Sequence, residues 1–498
     1  MDRRDFLRTV SLGALTGSFA GRTALAREAS PDAIAARKLN KNDPPPNILF
    51  AISDDQSWVH TGANGDRVVN TPAFDRVARE GVLFNHTFCS APSCTPSRGA
   101  ILTGRAFSQL EKGGDLWSTL PKKFEVFPDL LQAAGYHIGF TRKGWGPGRI
   151  EPGGRTRNPA GQQYRNFEQF LKTVPTGKPF CFWFGSNDPH RSYVKGSGLR
   201  SGKKLDDVKV PPFLPDVPEV RSDILDYYFE VERFDREVAE MLKLLEAAGN
   251  LDNTIVAITS DNGMPFPRAK ANLYDYGTRM PLAVRWPARV KGGRAIRDFI
   301  SFTDFAPTFL EAAGLKPPPA MSGRSFLDLL VSEKEGRVDP KRDRVFTGRE
   351  RHAFCRKGGL GYPCRAIRTY RFMYIHNFKP DRWPAGDPKI YGDIDGSPTK
   401  TFMMQNRDAG NVTNLFRLAF DKRPPDELYD LKEDPGQLTN VAGLAKYAEA
   451  KIKLRADLDN WMKAMGDPRA FGKGGEWDRQ PYYGRQNPKF LSPDGKKP

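Results

Sequence analysis

The stretch Asn47–Asp55 reads NILFAISDD. Its apolar run is short and rich in isoleucine, which suits a strand buried on both faces, and two adjacent carboxylates follow its C-terminal end. The same order recurs twice. NTIVAITS (253–260) is followed by Asp261 and Asn262, and KPFCFWFGS (178–186) by Asp188 and His190. Between these runs lie helix signals. Thr71 can cap a segment that runs to Glu80, with Pro72 in its first turn and Gly81 at its end. EVFPDLLQAAGYHIGF (125–140) predicts a helix to Ala134, a stop at Gly135 and a strand over Tyr136–Phe140. A longer helix is predicted from a Ser222 cap to about Ala248. Along it Ile224, Tyr228, Val231, Phe234, Val238, Met241, Leu242 and Leu245 recur near the helical period. TDFAPTFLEAAG (303–314) adds one more helix. Strands alternating with helices predict an α/β fold, a doubly wound and mostly parallel sheet.

In such sheets function gathers beyond the C-terminal ends of the strands. Adjacent carboxylates repel there unless a cation or hydrogen bonds compensate. Oxygen donors, with an asparagine among them, suit a hard ion such as Ca²⁺ or Mg²⁺.

The rest of the chain sets the frame. Its 498 residues are enough for one large domain and a smaller one. The expected division is a catalytic domain over 47–365, a smaller C-terminal α+β domain over 366–471 and a tail over 472–498. RAIRTYRFMYIHN (365–377) alternates like an exposed strand, Lys446–Met465 reads as a helix, and the tail, rich in Gly, Pro and Lys, is expected to be loosely ordered. The N-terminus carries Arg3-Arg4, a mild apolar segment and Ala24-Leu25-Ala26, the pattern of a twin-arginine export signal over 1–26, followed by a leader over 27–46. This predicts the twin-arginine export machinery as a partner and a periplasmic or secreted location, with no membrane span in the mature chain. The formal charge is +18, of which the signal's four Arg and two Asp contribute +2, leaving +16. A positive surface attracts polyanions. For an exported protein a sulfated or uronic-acid polysaccharide is the better match, not nucleic acid. Five cysteines are too few for a disulfide scaffold. Cys355 and Cys364 flank a Gly-rich loop and fit either a disulfide or two free thiols; Cys89 and Cys181 read as small buried hydrophobes.

CTPSRGAILTG (94–104) gives the sequence its closest resemblance. It resembles the C-[ST]-P-S-R-x-x-x-L-T-G signature of the type I sulfatases, and the likeness extends from Asn47 to about Ala442. VPPFLPDVPEVRSDILDYY, TSDNGMPFPRAKANLY and DPHR look closest to the heparan N-sulfatase (sulfamidase) branch. The resemblance implies an alkaline-phosphatase-like fold and hydrolysis of a sulfuric ester or sulfamate on a sulfated carbohydrate such as a glycosaminoglycan-like polysaccharide. It also implies that a formylglycine-generating maturation enzyme converts Cys94 to formylglycine. Asp54, Asp55, Asp261 and Asn262, with residue 94, match the divalent-cation ligands. Arg98 matches the arginine that holds the formylglycine hydrate, Lys143 and Lys270 match sulfate-side lysines, and His190 a substrate-side histidine. Arg191, Arg351 and His352 are further candidates for binding substrate anions, since arginine forms bidentate anion contacts. One position departs from the pattern: where the family has a histidine two residues after the lysine, this chain has Trp145. Two other readings stay open, a phosphodiesterase or phosphonate hydrolase of the same superfamily and a non-catalytic binder of sulfated glycans.

Overall fold

The structure, a computed structural model, describes residues 44–490. The export signal (1–26), most of the leader (27–43) and residues 491–498 lie outside the described residues. The described residues belong to one compact unit.

A large sheet is built from β1 (Asn47–Ser53), β2 (Val82–Phe88), β3 (His137–Arg142), β4 (Gln162–Gln163), β5 (Phe180–Gly185), β6 (Thr254–Ser260), β7 (Arg279–Met280), β8 (Leu282–Arg285) and β9 (Arg294–Ser301). Its order is β4-β3-β5-β1-β6-β8-β2-β7, with β9 also paired to β2. The half that carries the strand-end acids is parallel throughout, from β4 to β6. The other half is mixed, because β8 runs antiparallel to both β6 and β2. After β6 the chain stays at the carboxyl end through Asp261–Thr278 and re-enters the sheet from that side. A strand that re-enters at the end where its predecessor left must run antiparallel.

β1 is buried on both faces, as its composition implies. Ile48, Phe50 and Ile52 pack with Ile101 and Leu102 of helix α1 (Cys94–Thr103), with Leu131 and with Phe305 and Phe309. Leu49 and Ala51 point the other way, toward Phe74, Val77, Phe234, Val238 and Leu242. Two-residue periodicity on a strand covered by helices on both sides explains why this run is apolar without alternation. The long helix, α2 (Pro218–Ala247), buries all eight of the periodic residues named above. It begins at Pro218, earlier than the Ser222 cap predicts. Proline at the first helical position already has helical φ and lacks only an amide hydrogen that the helix would leave unpaired.

The second sheet is antiparallel: β10 (Arg344–Arg349), β11 (Cys364–Thr369), β12 (Phe372–Asn377) and β13 (Asp426–Asp430), in that order. It begins at Arg344, upstream of the composition change at residue 366, which marks only its second strand. RAIRTYRFMYIHN is not an exposed strand. It forms most of β11 and all of β12, a hairpin buried on both sides. Ile367, Tyr374 and Leu428 face Leu454, Leu458 and Met462 of helix α3 (Ala448–Ala464), while Ala366, Met373 and Ile375 face Leu273 and Tyr274 of the large sheet's connection. Two of the hairpin's three arginines are internal, and Arg371 is exposed. Arg365 pairs with Glu350 and Asp467, and Arg368 with Asp275. The described part of the tail is held in place: Trp477 is buried, and the carbonyls of Gln480 and Pro481 accept hydrogen bonds from Arg351. All five cysteines are free thiols and buried, so Cys355 and Cys364 are not bridged.

Candidate active site

Two strand ends and one helix start converge. β1 delivers Asp54 and Asp55, β6 delivers Asp261 and Asn262, and α1 begins at Cys94. Asp55 has a φ of 75°, a left-handed conformation uncommon for a residue other than glycine. One ligand atom from each of Asp54, Asp55, Cys94 and Asp261 lies within 4.8 Å of all the others, and all four residues are buried. The Cys94 thiol faces Asp54 Oδ1 at 3.4 Å and the Asn262 amide at 3.6 Å.

Cations interleave with these acids. Arg98, fully buried one helical turn after Cys94, donates from Nε to Asp261 Oδ2 at 2.8 Å. Its Nη1 donates to the carbonyls of Lys143 (2.8 Å) and Gly144 (3.2 Å), which fixes the start of the segment after β3. That backbone passes against Gly185 so closely that a Cβ there would lie 1.6 Å from the Lys143 oxygen, so only glycine fits. Lys143 in turn pairs with Asp54 and lies 3.8 Å from Asp261, and Lys270 pairs with Asp55. His190 Nε2 stands 3.8 Å from Asp55 Oδ2, while its Nδ1 is engaged by the Arg191 carbonyl at 2.6 Å. Every residue the sequence nominated for chemistry or metal ligation thus falls in this one cluster.

The electrostatics of the cluster are set by burial against pairing. Burial raises the Asp54 carboxyl, but Lys143, His190, Arg98 and Lys270 together hold it well below the usual carboxylate range. Burial pushes Asp55 up to about 6, and Lys270 and His190 only partly oppose it. Burial works against the charge on Lys143 and Lys270, yet the surrounding carboxylates keep both firmly protonated. The Cys94 thiol is driven well above its ordinary value by burial and by Asp261 and Asp54.

The donor set fits a hard divalent cation. Asp55 Oδ1 and Asn262 Oδ1 are buried oxygens without a hydrogen-bond partner. Orphan oxygens beside carboxylates of Asp54 and Asp261 are what an oxygen-coordinated ion such as Ca²⁺ or Mg²⁺ would use.

The three substrate-anion candidates fare differently. Arg191 is bound bidentately by Asp223 at 2.7 and 2.9 Å, and its guanidinium packs on Tyr193 and Phe266. Arg351 is buried against Asp115 and the tail carbonyls. Neither reaches the cluster as a free cation. Sequence alone could not show this, because each arginine's partner is distant in the chain. His352 does lie beside the site: its Nδ1 meets the hydroxyl of Ser93, the residue before Cys94, at 2.8 Å. Burial pushes its imidazole down to about 3, so it is neutral. Trp145 is a core residue, packed beneath α1 near Gly99. Asp395, which no sequence pattern nominated, also comes within reach of Lys270, Asp55 and His190. It follows no strand, so a strand-end search passes over it.

Solved structures share this architecture. A phosphonate monoester hydrolase from Silicibacter pomeroyi superposes with a TM-score of 0.63 at 16% identity, covering 85% of this chain and 96% of that one. A protein solved with its substrate D-glucosamine-2-N,6-O-disulfate gives 0.62 at 22% identity, covering 85% and 99%. The architecture is that of the alkaline-phosphatase-like fold class. The family within that class follows from sequence: the model described as Sulfatase matches residues 46–147 and 160–315, more than half the chain. A second, N-sulphoglucosamine sulphohydrolase, C-terminal, matches 268–389. Human N-sulphoglucosamine sulphohydrolase is 29% identical over 474 residues, covering 85% of this chain and 91% of its own. An ulvan-active sulfatase of Formosa agariphila is 27% identical over 469 residues, covering 85% and 75%. The chain belongs to the sulfatase family, near its sulfamidase branch, and is a sulfatase enzyme.

Proposed function

We propose that this enzyme releases sulfate from a sulfated carbohydrate, O- or N-linked, after Cys94 has been oxidised to formylglycine, and that it works in the periplasm or outside the cell after twin-arginine export. The observation that carries the reading is the state of residue 94. As a cysteine it is buried among carboxylates that keep its thiol protonated, and a protonated thiol is a poor nucleophile. A hydrated aldehyde at the same position has two hydroxyls on one carbon. One attacks sulfur as the bond to the sugar breaks. The other then loses its proton, re-forms the aldehyde and expels sulfate, which divides one difficult displacement into two easier ones. The names of the relatives, for ulvan and for N-sulphoglucosamine, and the +16 charge after the signal support a sulfated glycan as substrate.

The side chains divide the work. Asp54, Asp55, Asp261 and Asn262 would hold a Ca²⁺-like ion, which would supply positive charge at the site. Arg98 locks Asp261 and the Lys143 backbone in one geometry. Lys143 and Lys270 face the sulfuryl oxygens as charge shifts onto them. His190, its Nδ1 already occupied, presents Nε2 toward the leaving atom and protonates it, a role worth roughly 10²–10⁴ in rate.

The test is mass spectrometry of the tryptic peptide Glu80–Arg98 from protein made with a formylglycine-generating enzyme. It is paired with sulfate release from glucosamine N-sulfate, glucosamine 6-sulfate and ulvan-type rhamnose 3-sulfate, and with phenol release from a phenyl phosphonate monoester. Loss of the thiol in favour of an aldehyde, together with sulfate release, is the expected result. Full activity with an unmodified Cys94, or phenol release from the phosphonate without sulfate release, would overturn it.

A further inference from the structure

The loop between β12 and helix Pro398–Gln405 is built to hold one carboxylate in place. Lys400 donates from Nζ to the carbonyls of Ile390 (2.9 Å), Tyr391 (2.9 Å) and Ile394 (2.8 Å). Asp393 is gripped by Arg349, by Arg356 at 2.5 Å and by the Ala353 amide at 2.9 Å. Lys389 and Tyr391 both have positive φ, 75° and 44°. Non-glycine residues hold that conformation only where the surroundings over-determine it. Two residues after Asp393 the loop presents Asp395.

Asp395 differs from the other acids at this site. Asp54, Asp55 and Asp261 are each consumed by a close partner, namely Lys143, Lys270 and Arg98. The nearest cation to Asp395 is Lys270, at 3.6 Å, and Oδ2 has no hydrogen-bond partner. The side chain is 31% exposed, although Oδ2 itself is buried. A second metal ion is not what it awaits, because the Lys270 ammonium contacts both Asp55 and Asp395. An acid beside an anion-binding site weakens anion binding unless the same ligand brings hydrogen-bond donors for it.

We propose that Asp395 is a specificity-determining residue. Its carboxylate accepts hydrogen bonds from free hydroxyls of the sugar ring beside the sulfate being removed, and it repels a second sulfate or a carboxylate at that position. The inference rests on the sulfated-sugar reading above and adds which sugars are chosen: rings unsulfated next to the scissile group. Charge-assisted bonds of this kind discriminate by about 10- to 100-fold.

The experiment compares wild type, Asp395→Asn and Asp395→Ala, each with residue 94 confirmed as formylglycine. The substrates are the three monosulfated sugars named above, p-nitrophenyl sulfate as a probe without ring hydroxyls, and D-glucosamine-2-N,3-O-disulfate, whose second sulfate sits on the carbon next to the N-sulfate. The ratio of kcat/KM on the best monosulfated sugar to that on p-nitrophenyl sulfate is expected to fall about 10- to 100-fold in both variants, chiefly through KM. In Asp395→Asn the disulfated sugar should gain at least about tenfold relative to the monosulfated one, a change that general loss of structure would not produce. A ratio that stays within about threefold, or equal losses on all substrates, would overturn the inference and leave the sulfatase reading intact. Wild type that cleaves only p-nitrophenyl sulfate would overturn it too, since no sugar is then read. Wild type that cleaves no sulfate from any probe would remove the proposed function itself.

Discussion

Arg98→Ala tests whether one buried arginine is the clamp of the site. The side chain is fully buried, as is the carboxylate of Asp261 that it pairs with at 2.8 Å, and it also donates to two backbone carbonyls. Removing one partner of such a pair strands a buried charge, and the penalty is about 3–5 kcal/mol; the carbonyl bonds are part of the same unit and are not added. For a protein of this length the entropy of unfolding is about 1 kcal/mol/K, from ~2.1 cal/mol/K per residue, so the melting temperature should drop about 3–5 °C. Catalysis should fall further, by about 10²–10³ in kcat, because Asp261 and the Lys143 backbone lose their common anchor. Loss of the cation is not the cause expected here. Deleting a positive charge beside Asp261 leaves the acidic cluster more negative, so a divalent ion should bind at least as well. Melting scans, kcat on a sulfated sugar and metal content by elemental analysis together decide the matter. Arg98→Lys keeps the charge but not the fork that reaches the two carbonyls, so it should fall between wild type and alanine. A variant that melts within about 1 °C of wild type and keeps more than about a third of its kcat would refute the reasoning.

Lys143→Ala should lower kcat by about 10²–10³ while residue 94 is still converted to formylglycine, as read by peptide mass. Asp54→Asn should weaken Ca²⁺ binding by at least tenfold in titration calorimetry, since it removes an ionised ligand that four cationic side chains hold deprotonated. At the junction of the two sheets, burial works against the ionised Asp275, but Arg368 and Arg279 outweigh it and hold the carboxyl down at about 2. A depressed carboxyl adds stability above its unfolded value near 4 and loses it as pH falls through about 2. The pair is therefore worth about 2 kcal/mol at neutral pH, and Asp275→Asn should flatten the acid limb of denaturation between pH 4 and pH 2. Trp145→His, which restores the residue more usual in the family, should destabilise by about 2–4 kcal/mol in urea, because it opens a cavity in the packed core under α1.

The sequence exposed those parts of the fold that depend on local order. β1 and β6 are continuous apolar runs because both their faces are covered, and their ends are marked by acids because ligands gather there. The cluster from Asp54 to Lys270 was therefore legible, helped by a signature whose cysteine and arginine lie one helical turn apart on α1. Long-range pairing stayed hidden. Nothing near Arg191 or Arg351 indicates that Asp223 and Asp115 will neutralise them. Nothing in the alternation of residues 365–377 reveals that Arg365 and Arg368 face Asp467, Glu350 and Asp275. An arginine in an alternating strand reads as solvent-facing until its acid is known, and each of those acids lies far away in the sequence or on another element.

The same arginines explain why the second sheet matters to a site that the first sheet builds. Arg349 of β10 holds Asp393, and Arg365 of β11 holds Glu350, the residue that follows β10. Arg469, after α3, holds the same glutamate. These are buried pairs, and breaking one leaves a charge stranded, so the loops they tether cannot drift without a large penalty. What they tether is the outer wall of the active site: His352 against Ser93, and the segment that ends in Asp395 beside Lys270. On the function proposed above, the large sheet fixes the groups that act on the sulfate and the small sheet fixes those that face the sugar. Substitutions in the arginine network, such as Arg349→Met, should accordingly alter KM for a sugar sulfate more than kcat, whereas substitutions at Arg98 should do the reverse.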